Sequence, residues 1–458
     1  MCSHGFNVAL RTDVTQVSAH RGAILHFLSD PGNDAAPGSF EFIEDGLLLV
    51  ENGLVAAIGP TQALSSSLPG DMPVIDHGDD ILLPGFIDTH IHYPQTDVIG
   101  SGGRQLLDWL QDYTFPAERT FADATHAREV AEFFLDELAR NGTTTAMVFC
   151  TVHETSVNAF FEAAQQRHMR MIAGKVLMDR NCPEYLRDSA SEGTRASREL
   201  LERWHGHERL LYAITPRFAA TSTEAQLAGA GQLAREYPDV FIHSHVAENR
   251  DEIAWVKKLF PQARSYLDVY DGYGLLRERA IYAHCIYLDE TDRHRMAKTG
   301  AAAAFCPTSN LYLGSGLFDI AAADAARMRF SVATDVGGGS SFSMLRTLGE
   351  AYKVAQLTGQ HLAPLRAFYL ATLGAARALG LDHRIGHFSV GAEADFIALD
   401  LGATALIARR TAQSRTLAEK LLVLMTLGDD RVIRRTYILG RQVHGAAAPE
   451  TIRSSTTT

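Results

Sequence analysis

Eight short apolar runs spread through the middle of this chain limit its fold more than any other feature. One begins at Ile81 and closes at His92; the others begin at Thr143, Met171, Leu210, Val240, Ala280, Ala301 and Arg329. Short apolar runs with helix-patterned stretches between them are the signature of strands joined by helical crossovers. The stretch before Thr143 shows the helical spacing: Val130, Phe134 and Leu138 fall on one face, and Gly142 follows its end. Eight such units predict a closed parallel (β/α)8 TIM barrel over residues 81–387.

The two ends of the chain have a different texture. Near the N-terminus, Ala23–Leu28, Leu47–Val50 and Leu54–Gly59 read as strands, and Asn52-Gly53 reads as a tight hairpin turn. Near the C-terminus, Phe396–Leu399 and Arg435–Val443 repeat the pattern. Residues 1–80 and 388–450 are therefore expected to build one small β-sandwich domain from both termini, and residues 451–458 a disordered tail. The whole chain, 458 residues, is long enough for a barrel plus such a domain.

The formal net charge of −12, with no Lys/Arg tract, argues against nucleic acid as a partner, because that binding relies on phosphate neutralisation. The cysteines, Cys2, Cys150, Cys182, Cys285 and Cys306, are dispersed and odd in number, and none forms a C-x-x-C. A reducing, cytoplasmic setting is expected rather than a disulfide framework or a thiolate zinc site. No signal pattern opens the chain, and no apolar segment is long enough to span a bilayer.

Barrel active sites sit at the C-terminal ends of the strands. Residues two apart on a strand share a face, so His90 and His92 present two imidazoles together. The fourth strand runs into Arg217-Phe218, the fifth ends in His245 with Glu248 three residues on, the sixth in His284 and the eighth, Phe330–Asp335, in Asp335. His90, His92, His245 and Asp335 together are a ligand set for Zn²⁺ with room for a water, which a zinc ion makes acidic enough to supply hydroxide near neutral pH. Glu248 is placed to carry protons and His284 to hold the nucleophile in line.

Each residue alone has a plainer account. A His-x-His pair is commonly structural, Glu248 could open a solvated helix, His284 could be a satisfied core histidine, and Asp335 before Gly337-Gly338-Gly339 could be a turn residue. His205 and His207 read as surface residues and His243 as a hydrogen-bonded core histidine. What outweighs the separate accounts is their conjunction on one rim.

At this point the residues meet a family. The chain resembles the amidohydrolase superfamily, and within it the guanine deaminases of the branch that also holds triazine hydrolases. The resemblance is carried by Pro84-Gly85-Phe86-Ile87-Asp88-Thr89-His90-Ile91-His92-Tyr93-Pro94-Gln95, Leu107-Asp108-Trp109-Leu110, Tyr113-Thr114-Phe115-Pro116-Ala117-Glu118 and Thr215-Pro216-Arg217-Phe218. It continues through Ser244-His245-Val246-Ala247-Glu248-Asn249-Arg250-Asp251-Glu252, Cys306-Pro307-Thr308-Ser309-Asn310, Thr334-Asp335-Val336-Gly337-Gly338 and Gly428-Asp429-Asp430-Arg431. It implies hydrolysis of guanine to xanthine and ammonia, with water as co-substrate, one zinc per chain and a homodimer. His90, His92, His245 and Asp335 would hold the ion, Glu248 would shuttle protons, and Asp335 would accept one from the attacking water. Gln95, Arg217 and Phe218 would hold the purine, with Trp109 or Phe218 stacked on it; His92, His245, Glu248 and Asp335 would close the metal side of the substrate site. Binuclear relatives carry a bridging lysine on the fourth strand. That strand lacks one here, and Lys175 on the neighbouring strand reads as structural or supporting. Alternatives are a different purine, a pterin or a triazine as substrate, or a non-catalytic scaffold.

Overall fold

The computed structural model describes residues 17–68, 72–102, 105–447 and 450–451. Of the tail 451–458, expected to be disordered, Thr451 pairs with Val74 in a short strand, and the rest lies outside the described residues.

The run from Ile81 to His92, expected as one strand, is two. Val74–Pro84 belongs to a terminal β domain and Phe86–His92 to the barrel. The break is Gly85, where a Cβ would come within 2.2 Å of Thr144 Oγ1, so only glycine lets the chain cross from one sheet to the other at this point. The β domain thus runs past residue 80 to Pro84.

That domain draws on both ends of the chain. Its strands lie in the order Arg441–His444, Ile433–Ile438, Phe396–Leu399, Val74–Pro84, Val17–Phe27, Phe40–Glu51 and Leu54–Pro60. Asn52 and Gly53 both have positive φ, 52° and 81°, as a two-residue hairpin matched to strand twist requires. The sheet curls over itself as a sandwich. Val55 N–H donates to Ala392 O at 2.8 Å, and Ile24, Leu48, Val50, Phe396 and Tyr437 share one apolar cluster.

The barrel strands are Phe86–His92, Thr143–Phe149, Arg170–Gly174, Leu211–Pro216, Phe241–Val246, Ala280–His284, Ala302–Phe305 and Arg329–Val332, each parallel to the next. Helices cover the outside, which explains why the strands read as nearly continuous apolar runs. The last strand ends at Val332, short of the expected Asp335. The loop beyond it closes the ring instead. Asp335 N–H donates to His90 O at 3.0 Å and His92 N–H to Val336 O at 2.8 Å. Asp88 accepts from Thr334 N–H at 3.2 Å and from Thr334 Oγ1 at 2.5 Å. The barrel and the β domain meet at a buried ionic cluster in which Arg170 and Arg209 pair with Glu393, and Arg209 also with Asp395. No helix among the described residues is long and apolar enough to cross a membrane.

Candidate active site

His90 and His92 lie on the first barrel strand and His245 on the fifth. Their Nε2 atoms converge: His92 lies 3.2 Å from His90 and 3.2 Å from His245, while Asp335 Oδ1 lies 3.1 Å from His90 and 3.4 Å from His92. Burial pushes His92 down to about 3, and burial with the neighbouring imidazoles holds His245 well below its ordinary value. These rings are neutral, so they face each other with nitrogen lone pairs. Asp335 is buried, which alone would raise it, yet the His90, His92 and His284 imidazoles hold it well below the usual carboxylate range. Ligands of a tetrahedral ion with bonds of about 2.0–2.1 Å stand roughly 3.3 Å apart, and the four separations above match that spacing. The donor set therefore fits one divalent ion.

The far sides of the rings are held as well. His90 Nδ1–H donates to His243 Nε2 at 2.8 Å, and His245 Nδ1–H donates to Arg217 O at 2.7 Å. Such partners fix which nitrogen is free to bind metal. His243, expected as a hydrogen-bonded core residue, is one, and its bond goes to a candidate ligand. Asp335 gains its position from a left-handed backbone, φ 52°, rather than from a strand end. His284 (φ 70°) and Ala247 (φ 51°) share this uncommon conformation.

Beside the four donors stand Glu248 and His284. Glu248 Oε2 lies 3.2 Å from His284 Nε2, and Ser315 Oγ donates to Glu248 Oε1 at 2.9 Å. Burial and the nearby Asp335 push Glu248 up to about 8, although the Ser315 hydrogen bond opposes this. At that value the carboxyl holds its proton near neutral pH. His284 Nδ1–H donates to Asn310 Oδ1 at 2.8 Å. His284 Nε2 is also 3.7 Å from Asp335 Oδ2, so it stands between the two carboxyl groups.

A cavity of about 420 Å³ opens over these groups, lined also by Gln95, Leu106, Trp109, Leu110, Arg217, Phe218, Glu252, Leu313 and Gly338. Gln95 and Arg217 form its polar wall, and the buried Glu118 backs them. Arg217 Nη1 donates to both oxygens of Glu118, at 2.8 and 2.7 Å, and Gln95 Nε2 donates to the same carboxylate at 3.4 Å. Gln95 Oε1 accepts from Gly337 N–H at 3.2 Å. Arg217 and Glu118 cancel in charge, so this wall suits a neutral polar ligand. Trp109 donates its indole N–H to Ser101 O at 2.8 Å, which leaves its faces for packing.

The sequence-based candidates all gather around this cavity except His90, which lies beneath it among the ligands. Lys175 stands apart: it is buried and ion-paired with Asp188. His205 is bonded to Asp239 and His207 to Gln165, away from the site. Sequence reasoning gives no role to Glu118, Asn310, Ser315 or Glu252. Glu118, Asn310 and Glu252 lie within segments that carry the family resemblance, which is the one signal pointing to them. Glu118 reaches the wall because a π-helical turn, Leu110–Thr114, joins Leu106–Trp109 to Phe115–Arg119 across the barrel mouth.

A parallel barrel whose mouth gathers three imidazoles from strand ends and a carboxylate from the closing loop, with a second carboxyl beside them, defines a class: hydrolytic barrels with a candidate single-ion centre. The chain belongs to the amidohydrolase family, whose profile matches residues 81–443. It is 53% identical to the guanine deaminase of Escherichia coli (strain K12), covering 93% of this chain and 98% of that one. The solved structure of E. coli guanine deaminase superposes with a TM-score of 0.92 at 50% identity, over 94% of this chain and 100% of the other. Guanine deaminase from C. acetobutylicum, solved with guanine bound in the active site, superposes with a TM-score of 0.84 at 26% identity, covering 94% of this chain and 100% of that one.

Proposed function

We propose that this protein hydrolyses guanine to xanthine and ammonia. The observation that carries this reading is the facing of two groups across one cavity: the four candidate ligands with Glu248 on one side, and the neutral Glu118–Arg217–Gln95 cluster on the other. The high identity to guanine deaminases supports the same substrate.

His90, His92, His245 and Asp335 would hold the ion, one per chain; neutral imidazoles with a carboxylate suit zinc. When bound, the ion supplies the Lewis acidity that makes water a nucleophile near neutral pH. The remaining work falls to side chains. Arg217 keeps its Nε and Nη2 hydrogens free of any protein partner among the described residues, and these are donors for the O6 carbonyl of guanine. Gln95 retains one N–H and one lone pair for the ring edge, and Trp109 and Phe218 pack on its faces. Asp335, held as a carboxylate, takes a proton from the attacking water, while Glu248 gives its proton to N3. His284, between the two carboxyl groups, keeps the water aimed at C2. As the C2–N bond breaks, the first proton passes to the departing amine and the second water proton restores Glu248. Water's oxygen ends on C2 and its two hydrogens on N3 and ammonia.

The four free cysteines among the described residues support a cytosolic setting, and the family resemblance a homodimer. The test is ammonia release by metal-replete protein from guanine, adenine, cytosine, a pterin and an amino-triazine. Guanine should be preferred over adenine and the amino-triazine by about a hundredfold or more, because a site built to bond a carbonyl rejects rings that lack one; cytosine and the pterin carry carbonyls and test the shape of the site. Preference for another ring, or no release from any, contradicts the proposal.

A further inference from the structure

Glu248 sits in a turn that the helix after it holds in an unusual way. It follows Ala247 (φ 51°) and precedes the helix Arg250–Leu259. Asn249 caps this helix, accepting from Asp251 N–H at 2.9 Å, and Glu252 completes the capping box. A capping box needs only the reach back to the cap residue. Here one oxygen of Glu252 accepts two hydrogen bonds, from Asn249 N–H at 3.2 Å and from Glu248 N–H at 3.0 Å. The second belongs to the proton carrier itself.

The other oxygen of Glu252 accepts from Tyr266 OH at 2.7 Å, and Tyr266 OH accepts from Ala219 N–H at 3.3 Å. Ala219 directly follows Arg217-Phe218, which form the wall for the base. Glu252 and Tyr266 are both buried, 1% and 5% exposed, so water does not substitute for these bonds. One turn beyond Tyr266 on the helix Tyr266–Gly272, Tyr270 OH donates to His245 O at 2.8 Å. An unbroken path of hydrogen bonds thus runs from the backbone of Glu248 to the backbone of the base-holding segment. The helix cap does not require the Tyr266 end of this path.

We infer that Glu252 and Tyr266 are positioning residues that set Glu248 at a fixed distance from the bound base. The inference rests on the proposed guanine hydrolysis. They act through Glu248 and Ala219, so their loss should lower turnover more than it weakens base binding.

The test uses full-length, metal-replete Tyr266→Phe, Glu252→Ala and Glu252→Gln, with kcat and KM on guanine. Hydrogen exchange at the Glu248, Asn249 and Ala219 amides of the metal-free chain is a readout independent of activity. Tyr266→Phe should lower kcat about tenfold, and Glu252→Ala about a hundredfold, with KM changed less than about threefold, as expected for a misplaced reacting group. Glu252→Gln, whose amide oxygen can still accept the two N–H bonds, should recover most of the loss. Exchange should quicken at Ala219 in Tyr266→Phe and at Glu248 and Asn249 in Glu252→Ala. Unchanged kcat per metal-loaded chain in Tyr266→Phe and Glu252→Ala, or unchanged exchange in the same two variants, overturns the inference. If wild-type protein releases no ammonia from guanine, the functional proposal fails, and the exchange measurement still decides whether the path exists.

Discussion

Arg217 and Glu118 offer a perturbation in which stability and base recognition separate. Both side chains are buried, 1% and 0% exposed, and the pair is bonded at 2.8 and 2.7 Å. Arg217→Met leaves the Glu118 charge without a partner, and breaking a buried pair in this way costs about 3–5 kcal/mol. Adding Glu118→Gln removes the second charge, and the double variant should regain most of that stability. Recognition should not return, because the donor to the base carbonyl is absent in both. A hydrogen bond to a charged group contributes about 1.5–3 kcal/mol, which corresponds to roughly a 10- to 150-fold loss of kcat/KM. The assay pairs urea unfolding of metal-replete protein with xanthine formation from guanine. A double variant no more stable than Arg217→Met refutes the argument from paired charge. Wild-type kcat/KM in Arg217→Met refutes the role in holding the base.

Three further outcomes follow from the same geometry. Glu248→Gln should lower kcat by about 10²–10⁴, the usual range for losing a general acid, while metal content, measured by atomic emission, stays at the wild-type level. His243→Ala removes the acceptor that orients His90 and should weaken metal affinity about 10- to 100-fold in a competitive chelator titration; unchanged affinity would mean that His90 is oriented without it. Glu248 donates in its protonated form, so kcat should fall as pH rises through its value. Burial and Asp335 set that value at about 8, and a bound cation moves it lower. Ser315 holds it down, so Ser315→Ala should shift the falling limb to higher pH; a shift to lower pH contradicts the assignment.

His90 and His92 are legible in the sequence because alternation along a strand is local. His245 and His284 follow from the rule that barrel chemistry sits at strand ends. Asp335 lies beside His90 and His92, but not on the strand expected of it; its place depends on bonds to His90 and on the Asp88–Thr334 staple, which are tertiary. Glu118 is harder still. In the short helix Phe115–Arg119 a glutamate looks like a solvated charge, and only the docking of that helix over the barrel mouth buries it against Arg217. Glu252 reads as an ordinary cap residue, and its second bond to Glu248 depends on the left-handed turn at Ala247. Lys175 shows the converse, since its partner Asp188 is not foreseeable from strand pattern. The division at Gly85 is invisible to hydrophobicity, which runs unbroken from Ile81 to Ile87.

The account stands most directly on the dependence of guanine hydrolysis on one ion at His90, His92, His245 and Asp335. The decisive measurement is xanthine formed from guanine by chelator-stripped protein as zinc is added back in sub-stoichiometric steps. Turnover should be negligible at the start, rise linearly and level off at about one equivalent per chain. Full activity in stripped protein, or no xanthine at one bound zinc per chain, contradicts it.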